Sequence, residues 1–561
     1  MPSLQARAQA RVGLLGNPSD IYGGKGLGFA VAELAANVTL TDAPAMTAEA
    51  LANALPNDLL RAAWQLAAAE LRAHGIDPAR RPFTLGSTTD IPFQAGLSGS
   101  SAMVVAALRA WSRWFALPLE PLRLAELAWR TENELLGIRA GPLDRLVQAH
   151  DGLLAMDFAH PFAPGAVTRL DPALLPPLLL AWHGVGSQSS GDVHAPVWAR
   201  FQAGDRRVHA TMHNLAANAE AGRVALLAHD HAAFRACVDR NFELRCEVFP
   251  IAPADRELIA LGRAAGAAAK FPGSGGAALF ACRDDAHRTQ VEAACRSHGH
   301  TTLRPTVMPP HPRLAAILLA AGFATRLYPL TLNTAKPLLE VGGVPMLTRI
   351  LRQVEASGGC TTAVVVSNGR FHADFVRWQN AARPHLSLTL VDDGAMTNDE
   401  RRGAIGDLAL ALERVPAAGG IEPDGYLVLA CDNLFESDLG TLVDAFQRSG
   451  HGQLIVREVP APVPPGKYSE VVLTGDRIAS FREKPADPRC NLSAIAVYLL
   501  PRELPALLRD YLANGGNRDA PGHFLAWLAT RVPLHAHRLT GRWLDIGSAE
   551  DLATAARLFP A

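Results

Sequence analysis

The sequence has almost no net charge: 53 lysines and arginines stand against 54 aspartates and glutamates, a formal −1. A chain so balanced gives no electrostatic reason to expect nucleic acid or an anionic membrane as a partner. It also lacks paired cysteines. The seven present, at 237, 246, 282, 295, 360, 431 and 490, show no CxxC spacing. An odd, scattered set predicts reduced thiols in a cytoplasmic protein and no disulfide framework. No apolar run approaches the length of a membrane helix. The first thirty residues contain Arg7, Arg11 and Asp20 but no apolar segment of the signal-peptide kind. Histidines at 183, 194, 209, 213, 229 and 231 form no HExxH or other ligand spacing, and read as surface or core residues. With 49% hydrophobic and 19% charged residues over 561 positions, the composition is globular and too long for one core.

The stretch that organises the rest lies mid-chain. Residues 314–343 read LAAILLAAGFATRLYPLTLNTAKPLLEVGG. Ala315 to Ala321 is apolar and short, which predicts a buried strand. The loop after it carries Gly322, Ala324, Thr325 and Arg326, followed by Pro329, Lys336 and Pro337. A strand feeding a small-residue loop is how an α/β domain offers backbone N–H groups to phosphates. Arg326 and Lys336 supply the positive charge a triphosphate needs. An ordinary surface loop would explain the glycine, but not the whole run.

The first half holds three further small-residue loops. In RVGLLGNPSDIYGGKGLGF, residues 11–29, Asp20 and Lys25 lie in a glycine-bearing turn, which a plain turn explains equally well. DIPFQAGLSGSSA, residues 90–102, runs into an apolar-periodic segment. Gly96, Ser98, Gly99, Ser100 and Ser101 there can wrap an anion at a helix N-terminus, where an ordinary cap needs one serine. AKFPGSGGAALFAC, residues 269–282, offers Gly273, Ser274, Gly275 and Gly276 before a strand, with Lys270 nearby. Between the second and third loops, TENELLGIRAGPLDRLVQAHDG carries Glu132, Glu134 and Asp144, the last at a helix start where a cap is the plain alternative. A carboxylate beside an anion cradle and an arginine has the parts phosphoryl transfer requires: positioning, charge neutralisation and a base.

Taken together, these loops resemble the three motifs of the GHMP kinases over about residues 8 to 308, and most nearly the glucuronokinase group. ARVGLLGNPSD, TDIPFQAGLSGSSA, SGDVH, NFELR and KFPGSGGA carry the likeness. The resemblance implies Asp144 as base toward a sugar 1-hydroxyl and Arg11 on the transferred phosphoryl group. It implies Mg²⁺ on Ser100 or Ser101 with a glutamate; Asn133 falls between Glu132 and Glu134, so both glutamates stay in play. ATP sits on the second and third loops, and the sugar meets Asp20, Lys25 and Arg245. That arginine suits a carboxylate.

The mid-chain stretch resembles the signature of sugar-1-phosphate nucleotidyltransferases, with Gly322 in the nucleotide loop and Arg326 and Lys336 as catalytic cations. Downstream, YLVLACDNLFESDL places Asp432 after an apolar strand, with Cys431 where the family has glycine. FREKPAD resembles its E-K-P motif, which puts Glu483 on the sugar and Lys484 on its phosphate. WLDIGSAEDL supplies Asp545 as the second metal carboxylate. In residues 387–413, Gly403 and Gly406 are available to the base, but the loop departs from known thymidylyl- and glucose-specific patterns.

The expected architecture is α/β plus α+β: a two-lobed GHMP kinase fold over 1–308, a linker at 309–313 inside a proline-rich extended connector, and a Rossmann-like nucleotidyltransferase with a mixed sheet over 314–561. The expected function is salvage in two steps: C1 phosphorylation of glucuronate by ATP, then transfer from a second NTP, UTP, to give the nucleotide sugar. The alternatives are the same chemistry on another sugar, such as fucose with GTP, and a non-catalytic sugar sensor. Partners are small molecules, with no nucleic acid and no membrane.

Overall fold

A computed structural model of the chain describes residues 3–184, 190–415 and 422–559. The chain divides into two compact units, residues 1–115 with 119–311, and residues 116–118 with 312–561. Of the SGDVH motif, the side chains of 190–192 lie outside the described residues.

The first unit holds two antiparallel sheets. In the larger, strand Ser3–Leu15 pairs with the long strand Lys25–Asp42, which also pairs with Phe83–Thr89 and Leu153–Asp157; Val167–Leu170 closes the edge. The smaller runs Ala268–Lys270, Ala277–Ala281, Leu178–Trp182 and Thr301–Leu303. SLQARAQARVGLL alternates at its start and then buries both faces, as a strand does when helices cover the sheet. The helices Asp58–Ala73 and Gly99–Trp114 meet through Trp64, Phe83 and Trp111, with Trp64 ring centroids 5.2 and 5.0 Å from the other two. Apolar area of that size supplies much of the cohesion.

The proline-rich connector is extended, but it is not free. Thr301–Leu303 is a sheet strand, Met308 N–H donates to Ala30 O at 2.8 Å, and His311 N–H donates to His150 O at 2.9 Å. Backbone groups that a flexible linker would leave to water are paired along the strand Lys25–Asp42 instead.

The second unit is built on a nine-stranded mixed sheet. Ser387–Asp392, Cys360–Ser367, Leu314–Leu319 and Gly425–Ala430 run parallel, and Leu492–Pro501 then joins antiparallel. In Leu314–Leu319 the even-numbered residues enter one hydrophobic core and Ala315 and Ile317 enter another. This is why the run is continuously apolar: a parallel strand covered on both faces leaves no position for a polar side chain. Ligand-reading loops follow the carboxyl ends of such strands. No described helix is long and apolar enough to cross a membrane.

Candidate active sites

In the first unit the three loops open onto one cavity of about 900 Å³. Arg11, Asp20, Gly96, Ser98, Gly99, Ser100, Glu132, Asp144, Arg245, Gly273 and Ser274 all line it. Asp144 enters from the first turn of helix Leu143–His150. Its carboxylate accepts from Arg11 Nε on one oxygen and from the Ser98 hydroxyl on the other, with Arg145 Nη1 3.6 Å away. Burial would raise its pKa, but Arg11, Arg145 and the Ser98 bond outweigh that and hold it below the usual carboxylate range. It is therefore ionised at neutral pH, as a base must be.

Ser98 occupies the N-cap of helix Gly99–Trp114 in the left-handed region (φ 62°), yet makes no capping bond. Its hydroxyl goes to Asp144, so the first N–H groups of that helix remain available to an anion. Arg11 also donates to Gly96 O at 2.9 Å and Pro272 O at 2.8 Å, tying the second loop to the third. The glycines serve that same approach. A Cβ on Gly273 would lie 2.1 Å from Gly96 O, and one on Gly141 would lie 1.8 Å from Asp20 Oδ2. Asp20 is pressed against that backbone, and burial, then the charge of Asp144, pushes its pKa up to about 6.

Other expected residues are set apart from the cavity. Ser101 is buried and donates to Gln148 Oε1 at 2.8 Å, so its hydroxyl packs the helix inward. Glu134 is exposed and pairs with Arg130 one helical turn away. Lys25 is exposed and lies 3.7 Å from Glu220. Gly275 and Gly276 pack on Asp255, whose Oδ1 accepts from Gly276 N–H at 2.8 Å. Conversely, the cavity includes Asn17, Arg139 and Arg145, which the sequence reading did not single out, and His194, which it read as a surface or core residue. Beneath it, buried Lys270 donates to Gly13 O at 2.6 Å and Asn17 Oδ1 at 2.7 Å. An arginine or lysine next to a glycine or an acid reads as surface in sequence; only packing shows it turned inward.

In the second unit, strand Asn433–Phe435 pairs antiparallel with Trp543–Asp545, placing Asn433 opposite Asp545. Register thus brings Asp432 and Asp545 together across more than a hundred residues. Lys336 Nζ sits between them, 3.1 Å from Asp432 Oδ2 and 3.8 Å from Asp545 Oδ1. Burial and then the Asp432 charge raise the Asp545 pKa, against Lys336 and Arg326. Cys431 is buried in the core, its thiol pushed up first by burial. Replacing the family glycine therefore leaves Asp432 at the strand end. Arg326 is exposed on the 3-10 turn Thr325–Leu327, and Gly322 has open space around it. Glu483 is pinned against Gly522, whose Cβ would lie 1.8 Å from its Oε2; Lys484 Nζ is 3.8 Å from Glu483 Oε1. Gly403, by contrast, packs on the backbone at Arg518, where a Cβ would lie 2.4 Å from the carbonyl oxygen.

Similarity to known proteins follows the same division. The GHMP kinases N terminal domain family matches residues 57–152 and the GHMP kinases C terminal family residues 223–301. The nucleotidyl transferase family matches 315–560. Glucuronokinase 1 of Arabidopsis thaliana is 31% identical over 338 residues, covering 55% of this chain and 93% of that protein. "Probable glucuronokinase 2" of the same plant is 34% identical, covering 52% and 88%. The chain belongs to the glucuronokinase family of GHMP kinases. Its second half resembles nucleotidyltransferases: "Probable mannose-1-phosphate guanylyltransferase 1" of Oryza sativa subsp. japonica is 30% identical over 258 residues, 44% of this chain and 64% of that protein.

The residues of both halves suit magnesium. Among the described residues no three His, Cys, Asp or Glu side chains cluster as a metal cage, and Mg²⁺ rests on one or two carboxylates plus substrate phosphates. In the kinase half, Glu132 is salt-bridged to Arg145 through one oxygen, while its buried Oε1 has no partner. In the transferase half, Asp432 and Asp545 offer the oxygen pair.

Proposed function

We propose that the protein converts free glucuronate into a nucleotide sugar in two steps, with ATP and then UTP. The ionised Asp144 facing a cavity it shares with an uncapped helix N-terminus carries the first step. Asp144 takes the proton of the sugar 1-hydroxyl as that oxygen bonds to the γ-phosphorus and the bond to the β–γ bridging oxygen breaks, releasing ADP. Arg11 holds Asp144 and the two phosphate loops in one geometry. Mg²⁺ on Glu132 and Ser100 would neutralise phosphate charge. In the second step an oxygen of the sugar 1-phosphate bonds to the α-phosphorus of the triphosphate, and pyrophosphate leaves. Arg326 and Lys336 stabilise the charge that develops there, Lys484 receives the sugar phosphate and Glu483 the sugar hydroxyls. Asp432 and Asp545 would carry the metal.

The names of the glucuronokinase relatives support glucuronate. A second reading, GTP as the donor, is favoured by the guanylyltransferase name of the transferase relative. A panel of free sugars with ATP, followed by the resulting sugar 1-phosphate with each NTP, tests both. Turnover of ATP with no sugar acid, or of neutral hexoses in preference, rejects glucuronate; pyrophosphate release with GTP alone rejects UTP.

A further inference from the structure

Among the described residues, the cavity contains a buried cation with no ion-pair partner. Of the arginines that line it, Arg11 pairs with Asp144 and Arg145 with Glu132, and Arg139 is exposed. Arg245, on helix His231–Val248, is buried and, among the described residues, makes no ion pair; Asp255, whose charge it feels, is bonded instead to His183 and to Gly276 N–H. Its Nη2 donates to Ser274 O at 2.9 Å, and its Nε is buried without a partner. The rings of Phe249 and Phe271 lie 4.8 and 5.6 Å from the guanidinium carbon. Burial pushes its pKa down only to about 10, so it stays charged at neutral pH. A buried charge left unpaired is costly, and a fold retains one where something else completes it.

His194 lies in the same corner. It is buried, lines the cavity, and stands edge-on to Phe249 with centroids 5.5 Å apart, so one phenyl ring contacts both groups. Its Nδ1 is buried without a partner. Burial, then the Arg245 charge, keeps the imidazole neutral, with a pKa of about 3.

We infer that Arg245 and His194 form the receptor for the substrate's carboxylate, with the guanidinium edge taking the charge and the imidazole adding a hydrogen bond. Beside the Phe249 and Phe271 rings Arg245 keeps an unpartnered Nε, and a guanidinium edge matches the two oxygens of a planar carboxylate. A phosphate has its own place on the Gly96–Ser100 loop, at a helix N-terminus. A neutral imidazole suits the corner because a second buried cation would cost more than one carboxylate returns. Lys25, the other basic residue near the first loop, points to Glu220 and takes no part.

This inference rests on the glucuronate reading, and the test separates the two. Kinase kinetics are measured with glucuronate and with glucose, alongside calorimetric titration of glucuronate in the absence of ATP. Arg245→Met should raise KM and Kd for glucuronate about 10- to 100-fold, a larger change than any in KM for ATP or in the rate on glucose, which lose only the bond to Ser274 O. His194→Phe should show the same selective loss at several-fold. Arg245→Lys, which keeps charge and approximate volume but not the fork, should fall between wild type and the methionine variant, and carries the test alone if Arg245→Met does not fold. An equal loss on glucose and glucuronate, or a rise in KM for ATP as large as that for glucuronate, overturns the receptor while leaving the glucuronate function standing. A wild type that prefers glucose overturns the function and the receptor with it.

Discussion

The two candidate sites use the same kind of partnership, a carboxylate against a basic side chain, in opposite surroundings. The Arg11 and Asp144 side chains are 9% and 19% exposed, bonded to two loops and a serine. In the transferase half, Lys336 is as covered at 10%, but its partners Asp432 and Asp545 are 45% and 56% exposed. Where both charges are buried, the pair is part of the architecture and its geometry is set before substrate arrives. Where the acids meet water, the pair costs little to form and little to lose, so its energy appears only when phosphates displace solvent.

The sharpest way to break this comparison is to remove one acid from each half. Asp144→Asn should lower sugar phosphorylation about 10²–10⁴-fold, the range of a lost general base, while pyrophosphate release from added sugar 1-phosphate continues. Asp432→Ala should do the reverse. Either change silencing both reactions in folded protein would show that the sites are not independent.

Arg326→Ala comes next in size. Its guanidinium is exposed in the free protein, and if it stabilises the charge of nucleotidyl transfer as proposed, kcat/KM for the triphosphate should fall about 10²-fold with kinase rates unchanged. A change below twofold would place Arg326 outside the phosphate site.

Stability sharpens the contrast further. Arg11→Met leaves the largely covered Asp144 with only the Ser98 bond and the more distant Arg145, a loss of about 3 kcal/mol. Lys336→Met, beside exposed acids, should cost about 1 kcal/mol or less. Denaturant unfolding followed separately in each unit measures both; equal losses would erase the distinction.

The smallest effect is in pH. Asp20, with its pKa raised to about 6, takes up a proton as pH falls through 6 and ceases to accept from a sugar hydroxyl, while Asp144 stays ionised. Kinase kcat/KM for the sugar should therefore decline below about pH 6, and Asp20→Asn should flatten that limb at reduced activity. The stability sign is opposite to that of an ordinary salt-bridged acid. The contribution of Asp20 is fully present below its unfolded value near 3.8 and is lost as pH rises through 6. The asparagine variant should accordingly gain stability at pH 7 and not at pH 3. No gain at pH 7 would mean that Asp20 is solvated.

Much of this was legible before any fold was known. The continuous apolar run at 314–319 and the loop after it announce a parallel strand and a phosphate site, because a strand buried on both faces has to be apolar throughout. Asp144, Ser98, Arg11 and the glycine loops were readable as a group, since phosphoryl transfer asks for few residue types and they recur in a recognisable order. Less was legible where one residue type serves two purposes. Ser100 and Ser101 are neighbours on a helix, and helical geometry turns one to the cavity and the other to Gln148. Glu132 and Glu134 flank Asn133, and only the first faces Asp144.

By itself, then, the sequence determined the buried strand and the anion-binding loops and, through motifs that resemble two families, the two folds, their order and the classes of chemistry, because such motifs are local properties. The tertiary structure alone decided which charges are paired. Asp432 meets Asp545 through strand register, Arg245 makes no ion pair among the described residues, and the third-loop glycines pack on Gly96 O and the Asp255 carboxylate. Those outcomes depend on long-range contacts, whose distances no local pattern encodes.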